Sequence, residues 1–324
     1  MRRFFGALAA VVVLSLSGCS SSESPDPVPP TGANTSAEFP VTIEGALGSS
    51  VVGSEPTRVV ALSWTDADIL LSLGVTPVAT ARATAASGFQ PWAEAELGDQ
   101  DAPAFLQGAN ADLSIEDVLA YEPDLIVGTK AFGLDTRYEQ LSAIAPVVHY
   151  DSTPSAETWE DATRSIAAAL GRSDDGERVI AETDSTISAA AEANPELTGK
   201  TFTFFVGPAN GSVYVVNSTD DAGAQFLDSL GMRPTDYATG LPTSSIPGRA
   251  QITYEYLADN DADLVIATGQ PADLDAFRTL PGIASLSAVA RGNYVPLSPT
   301  EAQSIAFPSP LSLEWATGNI VPKF

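Results

Sequence analysis

Residues 113–129 read LSIEDVLAYEPDLIVGT, and residues 252–268 repeat this pattern in weakened form, beginning ITYEYL and ending DLVIAT. In each copy a hydroxyl residue, Ser114 or Thr253, precedes a short helical pattern whose free backbone amides it can cap. Each copy then carries an acidic residue followed by an apolar run, which is typical of a buried parallel strand. A helix that feeds a strand is the αβ step of a doubly wound sheet. One unit used twice predicts two lobes of one plan, with function in the cleft between them.

Apolar and β-branched runs on both sides of the repeat predict further strands, and stretches with helical character lie between them. The predicted strands are residues 58–62, 77–80, 124–127 and 146–149 in the first lobe, and residues 201–206, 213–216, 263–267 and 294–297 in the second. The predicted helices include residues 66–73, 222–230, 274–280 and 311–319. Strand, helix and strand at this spacing imply right-handed parallel crossovers.

A helical stretch at residues 156–194, interrupted at Gly171 and Gly176, separates the two lobes. A helix of about 20 residues is about 30 Å long, so this stretch can join the lobes as a stiff connector. The predicted fold class is therefore α/β, with two Rossmann-like lobes, mostly parallel sheets and one long α-helix joining them. The predicted boundaries are 39–155 for the N-terminal lobe, 156–194 for the helical connector and 195–324 for the C-terminal lobe.

The N-terminus has the order of a secretory signal, because two arginines precede an apolar run over residues 4–16. Leu-Ser-Gly then stands immediately before Cys19, the only cysteine of the sequence, and this arrangement resembles a bacterial lipobox. We predict that residues 1–18 are a lipoprotein signal peptide and that lipid on Cys19 anchors the chain to the extracytoplasmic face of the cell membrane. Residues 19–38, rich in serine and proline, are predicted to be a disordered tether.

Charge and motif content exclude several classes of protein. Without the two N-terminal arginines, 13 Lys and Arg residues stand against 41 Asp and Glu residues, a formal charge of −28 that excludes attraction to nucleic acid. The only histidine, His149, cannot supply the several His ligands that binders of bare zinc or manganese use, and we interpret it as structural. The chain has neither a G-x-S-x-G elbow nor a G-x-x-x-x-G-K-S/T loop. We therefore predict no serine hydrolase, no ATPase and no enzyme.

Segments spread over nearly the whole mature chain resemble the substrate-binding lipoproteins of iron-siderophore ABC importers. These segments are PTRVVAL at 56–62, LLSLGVTPV at 70–78, the first repeat copy, LSAIAPV at 141–147, AALG at 168–171 and the stretch at 286–294. The resemblance implies two Rossmann-like lobes joined by one long helix, with little hinge motion, and a ferric complex held in the cleft. It also implies that the repeat glutamates, Glu116 and Glu255, dock on basic residues of the permease.

Doubly wound sheets bind ligands beyond the carboxyl ends of their strands, and this rule selects the candidate cleft residues. Charged, polar and aromatic residues at predicted strand ends or in adjoining loops are Trp64, Arg82, Trp92, Lys130, Phe132, Phe205, Tyr214, Asn217 and Arg249. Phe132 also lies 16 residues after Glu116, where hydroxamate-binding relatives of the resembled family carry an aromatic residue. The alternatives are core packing for the aromatic residues and surface ion pairs for the cations.

We therefore predict a lipid-anchored solute-binding protein that captures a ferric siderophore and delivers it to an ABC permease and its ATPase subunit. A hydroxamate is favoured, because a ferric tris-catecholate carries about three negative charges and this acidic chain offers few cations to offset them. A hexadentate chelator fills the coordination shell of Fe(III), so we predict no metal ligand from the protein and no cofactor. A haem- or cobalamin-binding protein of the same fold is an alternative, as is a ligand sensor or interaction module. The protein is predicted to be a monomer.

Overall fold

The computed structural model describes residues 39–108 and 112–324. The predicted signal peptide, the tether and Cys19 lie outside the described residues. The strands are β1 (Val41–Gly45), β2 (Gly48–Val52), β3 (Val59–Ala61), β4 (Ala79–Thr80), β5 (Ala104–Phe105), β6 (Leu125–Gly128), β7 (Val147–His149), β8 (Thr201–Ala209), β9 (Ser212–Val216), β10 (Arg233–Pro234), β11 (Arg249–Thr253), β12 (Leu264–Thr268) and β13 (Tyr294–Leu297).

The helices alternate with these strands along most of the chain. They are α1 (Trp64–Ser72), α2 (Pro91–Leu97), α3 (Ile115–Ala120), α4 (Tyr138–Ser142), α5 (Trp159–Ala169), α6 (Ser173–Ala193), α7 (Ala222–Ser229), α8 (Asp236–Gly240), α9 (Pro271–Arg278), α10 (Pro281–Ala284), α11 (Ser287–Arg291), α12 (Pro299–Ala306) and α13 (Pro310–Asn319). Short 3₁₀ helices span Leu134–Thr136, Pro195–Leu197, Tyr254–Asp259 and Val321–Lys323.

The sheet of the first lobe is entirely parallel, in the order β5-β4-β3-β6-β7. Its central strands β3 and β6 are buried along their whole length, as apolar runs in a parallel sheet covered by helices should be. A separate antiparallel hairpin, β1 with β2, precedes this sheet, and the Ser50 hydroxyl on β2 bonds to the backbone of Val147 on the edge strand β7.

The sheet of the second lobe is mixed, in the order β11-β9-β8-β12-β13, with β10 paired to β8. β8, β10, β12 and β13 are parallel, whereas β9 runs antiparallel to both β8 and β11. β9 is thus the strand that departs from the expected parallel sheet, because β11, antiparallel to β9, runs in the direction of β8. The difference arises because Asn210 and Gly211 close a tight hairpin between β8 and β9, with no helix between these strands.

The connector consists of two helices, α5 and α6, separated at Gly171, which has φ 70° and so takes a conformation that favours glycine. α6 is 21 residues long and contributes to both lobes. Val179 packs into the apolar core of the first lobe, and Ile180 and Ile187 pack into that of the second. The predicted fold class, two α/β lobes with one long helix that joins them, is confirmed.

The two repeat copies share their strand and differ in their helix. Ser114 caps α3, because its hydroxyl accepts a hydrogen bond from the amide of Asp117 at 3.2 Å. Thr253 precedes a 3₁₀ helix and its side chain forms no capping bond. The acidic residue before each strand has the same role in both copies. Asp124 accepts bonds from the amide and hydroxyl of Thr57, and Asp263 accepts the same two bonds from Thr201, at 2.8–2.9 Å.

Candidate functional site

The first-lobe strands present their carboxyl ends at one edge of the sheet, because β3, β4, β6 and β7 are parallel. The chain leaves β3 and enters α1 through Ser63, which caps the helix, and Trp64 is its first residue. Arg82 follows β4 by two positions, and Lys130 follows β6 by two. This edge therefore brings Trp64, Arg82 and Lys130 to the same side of the lobe.

Trp64 meets an aromatic residue of the second lobe that sequence analysis did not select. Its half-buried ring lies 5.7 Å from the ring of Phe307, in an edge-to-face arrangement at 68°. Phe307 follows α12 and is 43% exposed, so the pair has one accessible aromatic surface. Contact between residues so far apart in the chain leaves no signal in a single sequence.

Arg82 is an exposed guanidinium that is held in place without a carboxylate. Its Cζ lies 4.3 Å from the centroid of the Phe105 ring, and Nη2 donates a hydrogen bond to the carbonyl of Ser87 at 3.2 Å. Gly88 makes this packing possible, because a Cβ there would lie 2.6 Å from Phe105 and 2.9 Å from Arg82. The Phe105 ring in turn stacks on Phe89 at 4.7 Å. In the described part of the chain no acidic group lies within ion-pair distance of Arg82.

The two lobes touch beside this cation through Gln303 on α12. Its Oε1 accepts hydrogen bonds from the Thr84 hydroxyl at 3.0 Å and from Nε2 of Gln90 at 2.5 Å. Residues 84 and 90 both belong to the loop that carries Arg82 from β4 to α2. These two hydrogen bonds hold the loop against the second lobe. The backbone of the loop that contains Arg82 is therefore fixed in place.

Two carboxylates are buried on α1 behind the cleft edge. Asp66 accepts hydrogen bonds from the hydroxyls of Ser63 at 2.5 Å and Thr129 at 2.6 Å, and from the amide of Lys130. Burial raises the pKa of Asp66, although these bonds oppose the rise. Asp66 therefore ties the loop after β3 to the loop after β6.

Asp68 forms a second polar joint, this time between the lobes. Its Oδ2 accepts hydrogen bonds from the Trp92 indole at 2.6 Å and from the Ser309 hydroxyl at 3.2 Å, and Ser309 caps α13 of the second lobe. Burial raises the pKa of Asp68 to about 8, with Asp66 adding to the rise and the two hydrogen bonds opposing it. The positions of Asp66 and Asp68 in the sequence do not predict that both carboxyl groups are buried.

Lys130 lies half-buried at the cleft edge and is already engaged. Its amino group donates a hydrogen bond to the backbone carbonyl of Glu157, in the loop after β7. Burial lowers the pKa of Lys130, and the neighbouring carboxylates of Asp66 and Glu157 oppose that change. One carboxylate oxygen of Glu157 is buried and has no hydrogen-bond partner among the described residues.

Phe132 is 45% exposed and stands at the mouth of a small apolar pocket beside the end of β6. The pocket is lined by Leu62, Leu113, Ala131, Phe132, Gly133, Leu134, Arg137 and Leu141. An exposed aromatic ring at this edge can stack on a ligand.

The predicted place of Trp92 and Phe205 in the cleft does not fit their burial. Trp92 is 3% exposed, with its ring packed 5.4 Å from Trp315 and its indole nitrogen used by Asp68. Phe205 is fully buried against Phe277. β8 continues to Ala209, so Phe205 is an interior residue of the strand and not its end.

The strand-end rule also fails for Asn217, because β9 is antiparallel to β8 and its carboxyl end does not share the edge of the parallel strands. Asn217 is 7% exposed, and its Nδ2 donates to the carbonyl of Leu241 at 2.9 Å. Its Oδ1 has no hydrogen-bond partner in the part of the chain that the structure describes. Arg249 begins β11 and pairs with Asp221 at 3.5 Å. Tyr214 lies half-buried on β9.

The repeat glutamates lie on the surface, one on each lobe. Glu116 sits in the first turn of α3, where a carboxylate is favoured by the helix dipole, and it accepts a bond from the Ser114 hydroxyl at 3.2 Å. Glu255 occupies the first turn of the second-copy 3₁₀ helix. Both side chains are exposed, and neither forms an ion pair with any residue that the structure describes.

His149 is buried, with its two ring nitrogens facing the carbonyls of Gly48 and Tyr150 at 3.1 and 3.2 Å, in agreement with its interpretation as structural. Within residues 39–108 and 112–324, no cluster of three His, Cys, Asp or Glu side chains could hold a metal ion. No helix in these same ranges is long and apolar enough to cross a membrane.

The sequence profile of the periplasmic binding protein family matches residues 59–299. The Bacillus subtilis protein named "Probable siderophore-binding lipoprotein YfiY" is 29% identical over 278 residues, covering 83% of this chain and 79% of the relative. The ferric enterobactin-binding periplasmic protein FepB of Escherichia coli is 27% identical over 273 residues, covering 78% of this chain and 82% of FepB. Among solved structures, Streptococcus pneumoniae PiaA in complex with ferrichrome superposes with a TM-score of 0.73 at 25% identity, covering 87% of this chain and 97% of PiaA.

Proposed function

Since the chain belongs to the periplasmic binding protein family, we propose that it captures a ferric siderophore in the cleft between its lobes and delivers it to an ABC importer. The family binds substrates and does not transform them, so no catalytic residue is assigned. The relatives support an iron complex as the cargo, because their names include a siderophore-binding lipoprotein, an enterobactin-binding protein and a ferrichrome complex.

The relatives bind both hydroxamate and catecholate complexes, and the charge of this cleft favours a hydroxamate. Of the three candidate cations, Arg249 is paired with Asp221 and the Lys130 amino group is used by a backbone carbonyl beside two carboxylates. Arg82 is the exposed one of these three cations, and no acidic group lies within ion-pair distance of it in the described chain. A single uncompensated cation suits a neutral ferric tris-hydroxamate better than a tris-catecholate with about three negative charges. This observation carries the proposal.

Titration of the intrinsic fluorescence tests the ligand class directly. Trp64 lies at the cleft edge and its ring is 6.2 Å from that of Trp92, so a ligand on Trp64 should quench the emission. We expect ferrichrome or ferrioxamine to quench saturably and ferric enterobactin to do so only at far higher concentration. Tight binding of ferric enterobactin alone would reverse the preference, and binding of haem or cobalamin alone would remove the siderophore proposal.

Two substitutions test which surface holds the ligand. Arg82→Ala and Trp64→Ala should each weaken binding by about 1–3 kcal/mol, the scale of one charged hydrogen bond or one aromatic stack. Arg278→Ala is the matched control, because Arg278 is also exposed and lies 5.5 Å over an aromatic ring, that of Tyr294 at the amino end of β13. Equal loss in Arg82→Ala and Arg278→Ala would point to a general effect on stability and not to the cleft.

We further propose that the chelator alone supplies the donors to iron. Hard Fe(III) prefers oxygen ligands, and a hexadentate hydroxamate satisfies all six positions. The protein then needs only shape, stacking and hydrogen bonds. A gallium-loaded chelate has the same charge and nearly the same size, so it should bind with the affinity of the ferric form. Failure of the gallium complex would show that the protein contributes to the metal centre.

Delivery is proposed to use Glu116 and Glu255, which lie at equivalent positions of the two lobes and are exposed without ionic partners in the described chain. Charged contacts of this kind set orientation and association rate. Replacing both with alanine should leave siderophore affinity and melting temperature nearly unchanged and strongly reduce uptake by cells that carry the permease. Normal uptake by this double variant would assign docking to other residues.

Anchoring is proposed through lipid on Cys19, as the names of the lipoprotein relatives suggest for this chain. Cys19→Ala should release the protein from the membrane fraction and abolish incorporation of labelled palmitate, with siderophore affinity retained. Membrane retention of the variant would contradict the anchor.

A further inference from the structure

Exposed apolar side chains occur beside both docking glutamates. A single exposed apolar residue is ordinary on the surface of a protein. Such a residue suggests an interaction surface only when it lies beside other residues proposed to contact a partner. The large exposed apolar side chains of the described residues are Val51, Leu119, Phe132, Tyr237, Ile246, Tyr256 and Phe307. Phe132 and Phe307 lie beside the first-lobe strand ends, whereas Leu119 lies three residues after Glu116 on α3 and Tyr256 directly follows Glu255. Tyr237 lies near Tyr256 and Asp259.

The first docking face combines a carboxylate with an aliphatic side chain. Glu116 and Leu119 are three residues apart on α3, so they project from the same side of the helix. Leu119 is 54% exposed, whereas Val118 on the opposite side of α3 is fully buried. Asp117 is already used, because its carboxylate accepts the amide of Gln107 at 2.7 Å. The free features of this face are therefore the charge of Glu116 and the apolar surface of Leu119.

The second docking face combines carboxylates with aromatic rings. Tyr256 follows Glu255 and is 53% exposed, while Leu257 anchors the 3₁₀ helix in the core. Residues three apart eclipse in a 3₁₀ helix, so Asp259 lies on the same side as Tyr256. The Tyr237 hydroxyl on α8 lies near Asp259 and Tyr256, and Tyr237 is 37% exposed. Two tyrosine rings and two carboxylates thus share this surface.

We infer that each docking glutamate works together with an apolar anchor, Leu119 on the first lobe and Tyr256 supported by Tyr237 on the second, against the extracytoplasmic surface of the ABC permease. This inference rests on the proposed function. The acidic neighbours require basic residues on the partner, and the exposed side chains require an apolar pocket next to each of them. Because one anchor is aliphatic and the other aromatic, the two faces are not interchangeable and the protein docks with a preferred polarity.

Association and dissociation rates distinguish the contribution of the docking glutamates from that of the apolar anchors. Exposed charges mainly set the association rate and its salt dependence, whereas packed apolar anchors mainly set the dissociation rate. The experiment measures binding of the siderophore-loaded protein to its permease and ATPase complex, purified into nanodiscs. Association and dissociation rates are recorded by biolayer interferometry over a series of salt concentrations.

We expect Leu119→Ser and Tyr256→Ser each to raise the dissociation rate by roughly 5- to 30-fold, the usual effect of truncating an interface anchor. Their association rates and salt dependence should match those of the unmodified protein. Glu116→Gln and Glu255→Gln should instead slow association and flatten its salt dependence. Tyr256→Phe keeps the ring and should dissociate at the original rate.

Val51→Ser is the matched control, because Val51 is 55% exposed and lies on the β1–β2 hairpin, outside both docking faces. Its dissociation rate should be unchanged. If Leu119→Ser and Tyr256→Ser behave like Val51→Ser, the apolar anchors do not exist. The affinity of each isolated variant for ferrichrome is measured in parallel. Loss of binding by the unmodified protein would overturn the proposed function itself, which is a separate outcome.

Discussion

Each lobe packs a helix against its sheet, but α1 of the first lobe buries two carboxyl groups besides its apolar side chains, whereas the long side chains that α7 buries are apolar. The carboxyl groups belong to Asp66 and Asp68, and the apolar side chains of α7 to Phe226 and Leu227. The buried carboxyl groups form hydrogen bonds that apolar side chains cannot form. Asp66 joins two loops at the cleft edge, and Asp68 reaches Ser309 of the other lobe. The two lobes therefore share the arrangement of a sheet covered by helices, but they differ in the side chains that these helices bury.

Among substitutions that distinguish α1 from α7, Asp68→Asn should change the free energy of unfolding the most. With a pKa of about 8 in the folded protein and about 4 in the unfolded chain, Asp68 holds its proton in the folded state while the unfolded chain has lost it. Stability therefore falls as pH rises from about 4 to 8. The full shift would correspond to roughly 5 kcal/mol, and relaxation of the site should reduce it to about 2–4 kcal/mol.

Asp68→Asn should thus be more stable than the unmodified protein by about 2–4 kcal/mol at pH 8 and equally stable at pH 4. Urea unfolding of both proteins at the two pH values measures this difference. Asp228 on α7 is exposed, so Asp228→Asn provides the comparison in the other lobe and should change stability by less than about 0.5 kcal/mol. If Asp68→Asn instead lowered stability at every pH, the carboxylate would have to be ionised in the folded protein.

The frame of both lobes could be predicted from the sequence, because each strand of a covered parallel sheet is a continuous apolar run. Residues 124–127 and 294–297 predicted β6 and β13 to within a residue at each end. Capping residues marked helices in the same local way, as Ser114 did for α3. Apolar runs and capping residues each involve only a few neighbouring residues. They can therefore be recognised from the sequence without knowledge of the tertiary structure.

The rule that ligands bind beyond strand ends can be applied from sequence only where the strands are parallel. Trp64, Arg82, Lys130 and Phe132 follow parallel strands of the first lobe, so they lie at the edge that the rule selects and remain candidate site residues. Asn217 was selected by the same rule on a strand whose direction the sequence did not reveal.

Other residues could not be found because their roles depend on distant partners. Trp92 pairs with Asp68 across 24 positions, and Gln303 with Gln90 across 213. No local pattern distinguishes such side chains from ordinary surface or core residues.

The acidic residue that precedes each repeat strand, Asp124 or Asp263, also differs between the two lobes. Asp124 accepts the amide and hydroxyl of Thr57 and also the amide of Arg58, whereas Asp263 accepts only the first two kinds of bond, from Thr201. Burial would raise the pKa of Asp124, but the bonds from Arg58 and Thr57 lower it overall. The bonds from Thr201 lower the pKa of Asp263. Both carboxylates therefore stabilise the fold above their unfolded pKa near 4, and this contribution is lost as pH falls through the lower folded value.

Asp124→Ala should cost about 2 kcal/mol of unfolding free energy and Asp263→Ala about 1 kcal/mol, since both groups are partly exposed and screened. Urea unfolding at pH 7 measures both, and the differences should shrink at pH 3. Thr57→Val removes one hydroxyl bond, whereas Thr201→Val removes two, because the Thr201 hydroxyl also accepts the amide of Asp263 at 3.1 Å. Both effects should be smaller than that of Asp124→Ala, with Thr201→Val the larger of the two. A larger loss in Asp263→Ala than in Asp124→Ala would contradict the count of bonds.

The smallest expected effect distinguishes the caps of the two repeat helices. The Ser114 hydroxyl accepts the amide of Asp117, and removal of such a cap costs about 1 kcal/mol. Thr253 has the same place in the second copy but makes no capping bond, so Thr253→Ala should change stability by less than about 0.5 kcal/mol. Ser114→Asn retains an acceptor and should recover most of the loss in Ser114→Ala. Equal losses at both positions would mean that Thr253 caps its helix in solution, and the two copies would then differ less than their helices suggest.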